Sequence, residues 1–544
     1  MDEAQFTLST PENEPVLEYA PGNPETETLR TRLREMSGSE IEIPLIIGGK
    51  EVRTGRMGRC VLPHDHGHVI ATYHMAGPKE VEAAVGAAAR AWKTWPTLPW
   101  PERVSVFLRA AELLSGPSRA TVNAATMLGI SKNVQQAEID AACELIDFFR
   151  FNAHFLDQIY SEQPGSMLGT WDRLEWRPLE GFILAVSPFN FTSIAGNLPS
   201  APAVMGNTAI WKPASSAVYP AYQVMKLLLE AGLPDGVINF LPGSGSDVGA
   251  PLLRHPDLAG VHFTGSNETF NRMWQTIGQG IAAYRSYPRI VGETGGKDFI
   301  VAHESCDVDE LVAHIVRGAF EYQGQKCSAA SRVFVPETIW PAVKDKLVAE
   351  VESIRMGDVR DFHNFMGAVI DAAAFATQKE AIAEAKADPS CEIIVGGGCD
   401  DAVGYFVEPT VIVTSDPDFR TLKEELFGPV LTVYVYEASR WAQTLEMIDT
   451  ATSYALTGAV FARDRAAVIE AMDGLRHAAG NFYINDKPTG AIVGQQPFGG
   501  SRASGTNDKA GSMWNLMRWT TPRTIKEQFV PPKDYRYPYL AAEK

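Results

Sequence analysis

One cysteine in this chain lies where a nucleophile is wanted. The run Phe320-Glu321-Tyr322-Gln323-Gly324-Gln325-Lys326-Cys327-Ser328 places a thiol where a helix gives way to a Gly-containing loop and then to a β-rich stretch. The thiolate is the reactive form. A neighbouring cation such as Lys326, or nearby backbone N–H dipoles, would lower the thiol pKa and raise the reactive fraction. A cysteine alone decides nothing, because free cysteines mostly behave as small buried hydrophobes. Ile290-Val291-Gly292-Glu293-Thr294-Gly295-Gly296-Lys297 adds a carboxylate beside a flexible glycine pair, an arrangement suited to a mobile general base or to an ordinary loop. Ser187-Pro188-Phe189-Asn190-Phe191 follows an apolar run, and its Asn190 is either a turn former or an amide donor to a developing oxyanion.

Two stretches bear on phosphate binding. Gly243, Gly245 and Gly249 follow an apolar run but are spaced G-x-G-x-x-x-G, one residue off the dinucleotide fingerprint. Phe263-Thr264-Gly265-Ser266 is the better candidate, since a strand ends there and a helix from about Asn267 offers unpaired N–H groups. Ser266 serves equally well as a plain N-cap.

The elements that must position these residues follow from periodicity. Helices are expected at Glu80 to Trp92, Pro101 to Leu114 and Gln136 to Phe155, the last with Ile139, Cys143, Ile146 and Phe149 at helical spacing. Short apolar runs at Phe182 to Val186, Thr208 to Trp211, Val237 to Leu241 and Val261 to Thr264 alternate with helix-length segments. That pattern predicts a parallel, doubly wound α/β sheet. A second α/β series holds strands at Phe299 to Ala302, Ser331 to Val335, Glu392 to Val395 and Val430 to Tyr436, with a helix from Asp307 to Tyr322. The uncharged run Gly181 to Trp211 has the length of a membrane span, but Pro188, Pro199, Pro202 and three asparagines make it a buried strand, turn and helix.

Sixty-six acidic against forty-eight basic residues give a net charge of -18, which disfavours a nucleic-acid partner. The composition, 45% hydrophobic and 21% charged, is that of a globular protein outside the membrane. Six cysteines show neither CxxC pairing nor framework spacing, so no metal and no disulfide scaffold are expected. Residues 1–45 read as a wrapping arm or poorly ordered lead. Their acidic, Pro- and Glu-rich start is unlike a transit or signal peptide, which suggests the cytoplasm, or the mitochondrial matrix if a leader has been removed.

Taken together, the order and spacing of these segments resemble the aldehyde dehydrogenase superfamily from about Ile43 to Phe529. The blocks QAEIDAACELIDFFRFN (136–152), FEYQGQKCS (320–328), GYFVEP (404–409) and NFYINDKPTGAIVGQQPFGGSRASGTND (481–508) look like its branch acting on L-glutamate γ-semialdehyde. The resemblance implies a Rossmann-like NAD-binding domain (46–160 and 181–294), an α/β catalytic domain (295–509) and a protruding β flap for oligomerisation (161–180 and 510–530), followed by a tail (531–544). It implies that Cys327 attacks the aldehyde carbon, Asn190 steadies the oxyanion with the Cys327 N–H, and Glu293 activates water against the resulting thioester. Lys212 matches a ligand of the adenosine ribose, Glu425 one of the nicotinamide ribose, and Phe427 a residue beside the nicotinamide. Ser266, Gly265, Ser187 and Pro188 complete the cofactor set. For the substrate, Ser328, Gly490 and Ala491 are expected to hold the α-carboxylate, Glu144 the α-ammonium, and Phe191 and Phe498 the aliphatic stem.

Many NAD-preferring relatives carry an acid three residues after the lysine, where this chain has Ser215; NAD is expected, with NADP open. Alternatives are a dehydrogenase of another small semialdehyde, an acylating enzyme and a catalytically silent structural protein. Trp171 to Arg177 and Met513 to Lys526 resemble the strands paired across subunits, with Met517, Trp519 and Ile525 otherwise leaving an apolar edge exposed. A homodimer or a multiple of one is expected.

Overall fold

A computed structural model of the chain describes residues 7–540. The acidic lead Met1–Phe6 and the last four residues of the expected tail lie outside the described residues. Two seven-stranded sheets organise the molecule. In space the first runs Arg289–Glu293, Leu258–Thr264, Phe182–Val186, Thr208–Lys212, Ile238–Phe240, Leu45–Ile47, Lys50–Val52. Its first five strands are parallel, Leu45–Ile47 runs against them, and Lys50–Val52 pairs antiparallel with Leu45–Ile47. Strand Phe182–Val186 shows why the apolar runs are uninterrupted: Ile183 and Ala185 enter one hydrophobic core, while Phe182 and Leu184 enter another on the opposite face. A strand covered on both sides needs apolar residues at every position.

The second sheet runs Cys391–Val395, Thr410–Thr414, Val430–Tyr436, Ala330–Pro336, Asp298–Ala302, Thr457–Phe461, Asn481–Ile484, antiparallel only at its first pair. The chain passes from one sheet to the other between Glu293 and Asp298, through Gly295 and Gly296. A long two-stranded ribbon, Thr170–Pro178 against Thr520–Gln528, stands apart from both. Among the described residues no helix is long and apolar enough to cross a membrane.

Several expectations change. The lead is not without structure: Pro24–Ser37 is a helix that buries Leu29, Leu33 and Met36, spaced four and three apart on one face. The helix expected from Gln136 begins at Val134 and carries a π-helical turn at Glu138–Glu144 before continuing as Leu145–Ser161. The helix before the nucleophile stops at Phe320, because Tyr322 and Gln323 adopt left-handed backbone angles (φ 52° and 55°) and reverse the chain. Met513–Met517 is a short helix, and Trp519 is fully buried against the His262 ring, so that part of the segment is not an exposed edge. The glycine run at 243–249 opens a π-helical turn capped by Ser244.

Candidate active site

The site lies where the two sheets meet. Cys327 sits in the loop between the turn Glu321–Gly324 and strand Ala330–Pro336. Asn190 is buried in the loop between strand Phe182–Val186 and helix Thr192–Val204. Its side-chain amide donates to the Gln325 carbonyl at 3.0 Å. One amide hydrogen thus ties Asn190 to the chain two residues before the sulfur, and the other is left for a developing oxyanion.

Glu293 ends strand Arg289–Glu293. Its Oε2 is buried and has no hydrogen-bond partner among the described residues. Burial raises its pKa well above the ordinary carboxylate value, opposed by the charge of Lys509 and the Gly500 N–H. A carboxyl with one uncommitted oxygen in an apolar surround can take a proton from water.

The thiol environment differs from the expectation. Lys326 turns to Glu321, its Nζ donating to Oε2 at 2.9 Å, and does not act on the sulfur. Burial raises the Cys327 pKa well above 9, and the carboxyls of Asp298, Glu293 and Glu425 push it further; its own backbone N–H opposes them. That three carboxyls act on one sulfur records how closely the site converges. A Cβ added at Gly296 would fall 2.5 Å from the Cys327 carbonyl oxygen, so only glycine fits beneath the nucleophile.

The helix after Asn190 and Phe191 is capped from another element. Asp140, in the π-helical turn, accepts from the backbone N–H of Thr192 (3.0 Å) and Ser193 (2.9 Å) and from the Ser193 hydroxyl (2.7 Å). It also takes the ammonium of fully buried Lys132 at 2.7 Å. Lys132 in turn lies 3.8 Å over the ring of Phe191 and 4.6 Å over that of Tyr322. The helix that follows Asn190, the Phe191 ring and the turn before Cys327 are thereby braced by one buried ion pair. Sequence reasoning misses Lys132 and Asp140; they lie eight positions apart in a mostly polar stretch that also holds Glu138, and nothing local marks them as a pair.

Glu144 is no exposed helix charge. Its Oε2 accepts from the Ser193 hydroxyl at 2.8 Å, and burial beside Asp140 pushes its pKa up to about 8. Ser328 is buried with its hydroxyl on that of Thr489 at 2.9 Å, next to Gly490, which holds φ +93°. Ala491, Phe191 and Phe498 are half-buried.

At the nucleotide side, Lys212 ends strand Thr208–Lys212, and Gly265 and Ser266 follow strand Leu258–Thr264, on either side of the central strand that Ser187 and Pro188 leave. The strand order changes direction between Phe182–Val186 and Leu258–Thr264, the crevice where open α/β sheets bind dinucleotides. Lys212 is nine-tenths buried and, among the described residues, its Nζ reaches only the Pro213 carbonyl, with its pKa pushed down to about 8 by burial. Ser266 caps helix Asn267–Gln279 and stays exposed at its N-terminus. The Ser187 hydroxyl is occupied by the Trp211 indole N–H at 2.9 Å. Phe427 adopts φ 58° and packs edge-on to Phe189. Glu425 sits on the Gly295–Gly296 turn, and Lys297, another buried lysine whose charge acts on it, has no hydrogen-bond partner among the described residues; sequence reasoning gave it no role. These residues fit a dinucleotide: a lysine head group held, among the described residues, only by its neighbouring backbone carbonyl, a helix N-terminus at a strand end, and a carboxylate on the loop before strand Val430–Tyr436. Among the described residues no group of three or more His, Cys, Asp or Glu is placed to hold a metal ion.

A nucleotide-type sheet and a second α/β sheet meeting at a cysteine, a glutamate and an asparagine define an aldehyde-oxidising class of fold. The chain belongs to the aldehyde dehydrogenase family, whose model matches residues 52–525. It is 51% identical over 540 residues to the Delta-1-pyrroline-5-carboxylate dehydrogenase, mitochondrial, of Dictyostelium discoideum, covering 99% of this chain and 97% of that protein. Its Bos taurus counterpart is 49% identical over 529 residues, covering 97% of this chain and 94% of the relative. A solved structure of the Delta-pyrroline-5-carboxylate dehydrogenase from Mycobacterium tuberculosis bound with NAD superposes with a TM-score of 0.96 at 53% identity, over 100% of each chain. The expected family and fold are borne out.

Proposed function

We propose that this chain oxidises L-glutamate γ-semialdehyde, formed by hydrolysis of Δ1-pyrroline-5-carboxylate, to L-glutamate with NAD as acceptor, a step of proline breakdown. The observation that carries the substrate assignment is the Ser328–Thr489 pair beside Gly490: a buried hydroxyl couple and a loop with accessible N–H groups, one residue from the nucleophile. An α-carboxylate finds neutral donors there. Glu144, four residues from Asp140 on the facing helix, takes the α-ammonium, and Phe191 and Phe498 pack on the stem.

In the reaction the Cys327 thiol gives its proton to the Glu293 carboxylate, which passes it to solvent, as the sulfur bonds to the aldehyde carbon and the oxygen takes up negative charge between the Asn190 amide and the Cys327 N–H. The nicotinamide, when bound, supplies the hydride acceptor. Loss of hydride from the sulfur-bound carbon leaves a thioester on Cys327. Glu293 then removes a proton from water as the oxygen attacks, and the C–S bond breaks to give carboxylate and thiol. Lys212 and Ser266 hold the adenosine ribose and pyrophosphate, with Gly265, Ser187 and Pro188 shaping the cradle; Glu425 and Phe427 orient the nicotinamide end.

The division into a cofactor domain (46–160, 181–294), a catalytic domain (295–509) and a flap (161–180, 510–530) is part of this reading, supported by the break between the sheets. The ribbon exposes Trp171, and Met167, Leu168, Phe529 and Val530 stand exposed at its end. We infer that two copies pair there; a monomer in light scattering at micromolar concentration overturns this. The working compartment is aqueous, cytoplasm or mitochondrial matrix.

The deciding assay follows NADH with freshly neutralised Δ1-pyrroline-5-carboxylate beside propanal, in wild type and Cys327→Ala. Activity on the former that vanishes in the variant is expected. Preference for propanal sinks the substrate assignment, and activity surviving in Cys327→Ala sinks the nucleophile.

A further inference from the structure

Before its first helix the described chain runs as an extended strap, residues 7–20, across helix Leu145–Ser161. Leu8 N–H donates to Asp157, Glu14 N–H to Asp147 Oδ1 at 2.8 Å, and Leu17 N–H to Glu138 at 2.9 Å. The Glu14 carboxylate pairs with Arg119 and Arg150.

Asn13 differs from its neighbours in reaching the loop around Val493 and Gln495. Its Nδ2 donates to Asp147 Oδ2 at 2.8 Å and to the Val493 carbonyl at 2.9 Å, and its Oδ1 accepts from Gln495 Nε2 at 2.9 Å. The opposite amide orientation would turn its oxygen toward a carboxylate and a carbonyl, so the network fixes one arrangement. Both of its amide hydrogens and its oxygen are thus spent joining helix Leu145–Ser161 to the loop that carries Gly490 and Ala491.

That loop needs external ties. It follows strand Asn481–Ile484 and, among the described residues, contains no strand or helix of its own before Ser501. Val493 is buried with Phe148 and Phe151, and a Cβ at Gly494 would fall 2.2 Å from the Phe151 ring, so its rear rests on the same helix. The Val493 carbonyl held by Asn13 is two residues from Ala491. A shift there displaces the N–H groups of Gly490 and Ala491 with it.

We propose that Asn13 is a specificity-positioning residue: through Val493 and Gln495 it sets the loop that discriminates an aldehyde bearing a carboxylate from one without. This rests on the reading that Gly490 and Ala491 hold the substrate carboxylate.

The test compares wild type, Asn13→Ala and Gln495→Ala by steady-state kinetics on glutamate semialdehyde and propanal, with amide hydrogen exchange over 488–496. In both variants the ratio of kcat/KM for the semialdehyde to that for propanal should fall roughly tenfold, as loss of one or two hydrogen bonds allows, and through KM. Exchange in the loop should quicken while the ribbon at 170–178 keeps its protection. An unchanged substrate ratio, or equal losses on both substrates, overturns the proposal, as does unchanged loop exchange. A wild type that prefers propanal would instead defeat the substrate reading, and the exchange experiment would still judge the strap.

Discussion

The backbone N–H of Gly296 donates to Oε1 of Glu425 at 2.9 Å, across 129 residues of sequence. A Cβ at Gly295 would stand 1.9 Å from Oε2 of the same carboxylate, whereas one at Gly296 would meet the Cys327 carbonyl at 2.5 Å. The two glycines are therefore distinguishable. Gly295→Ala displaces only the tip of a side chain and should raise KM for NAD roughly tenfold with a modest change in kcat. Gly296→Ala must move the backbone of the nucleophile and should lower kcat about a hundredfold, the scale expected of a 1 Å misplacement. Steady-state kinetics at varied NAD separate the two, and identical defects would contradict the geometry.

Burial and three carboxyls hold the Cys327 thiol above its ordinary value, so the thiolate fraction of the cofactor-free enzyme should keep rising as pH passes 9. Iodoacetamide labelling of Cys327, followed by mass spectrometry, should accelerate through that range. Glu425→Gln removes one of the carboxyls and should speed labelling at fixed pH. A rate that levels off below about pH 8 would mean that another group activates the sulfur.

Ser215 is exposed three residues after Lys212, the lysine proposed to hold the adenosine ribose. A carboxylate placed there would repel a ribose 2′-phosphate. Ser215→Glu should lower kcat/KM for NADP at least tenfold and leave that for NAD within about twofold. An equal response to both cofactors would remove Ser215 from the ribose.

His262 is buried on strand Leu258–Thr264 with Nδ1 on the Leu198 carbonyl at 2.9 Å, and burial pushes its pKa down from 6.5 to about 4. A depressed histidine favours the neutral folded form, so its contribution is complete above pH 6.5. It is lost as pH falls toward 4, because the unfolded chain binds the proton first. At about 1.4 kcal/mol per pH unit this amounts to on the order of 3 kcal/mol. Tm measured from pH 7 to 4.5 should fall more steeply in wild type than in His262→Gln, where that proton is absent. Parallel curves would show that the ring is not held neutral.

How much of this is legible in the sequence depends on the range of the interaction. Strands such as Phe182–Val186 announce themselves because burial on both faces leaves unbroken apolar runs, and the cysteine loop is marked by its own local residues. The turn of Lys326 toward Glu321 is not, since it needs the chain reversal at Tyr322 and Gln323, both non-glycine residues in left-handed geometry. Leu29, Leu33 and Met36 do carry helical spacing, but surrounding Pro and Glu conceal it. The bond from Asn13 to Val493 spans 480 positions, and no local pattern encodes it. The cap on helix Thr192–Val204 is likewise supplied by Asp140, some fifty residues earlier.

The ribbon joins Arg173 to Glu527 across 354 residues. During synthesis every strand of the first sheet is available before the second sheet exists, yet Thr170–Pro178 emerges long before Thr520–Gln528 can pair with it. Until then it is an open β edge on a half-made protein, a natural target for chaperones and for premature pairing with another nascent chain. Closing that edge is one of the last acts of folding, so a chain truncated before residue 520 would carry both complete seven-stranded sheets and still present the edge.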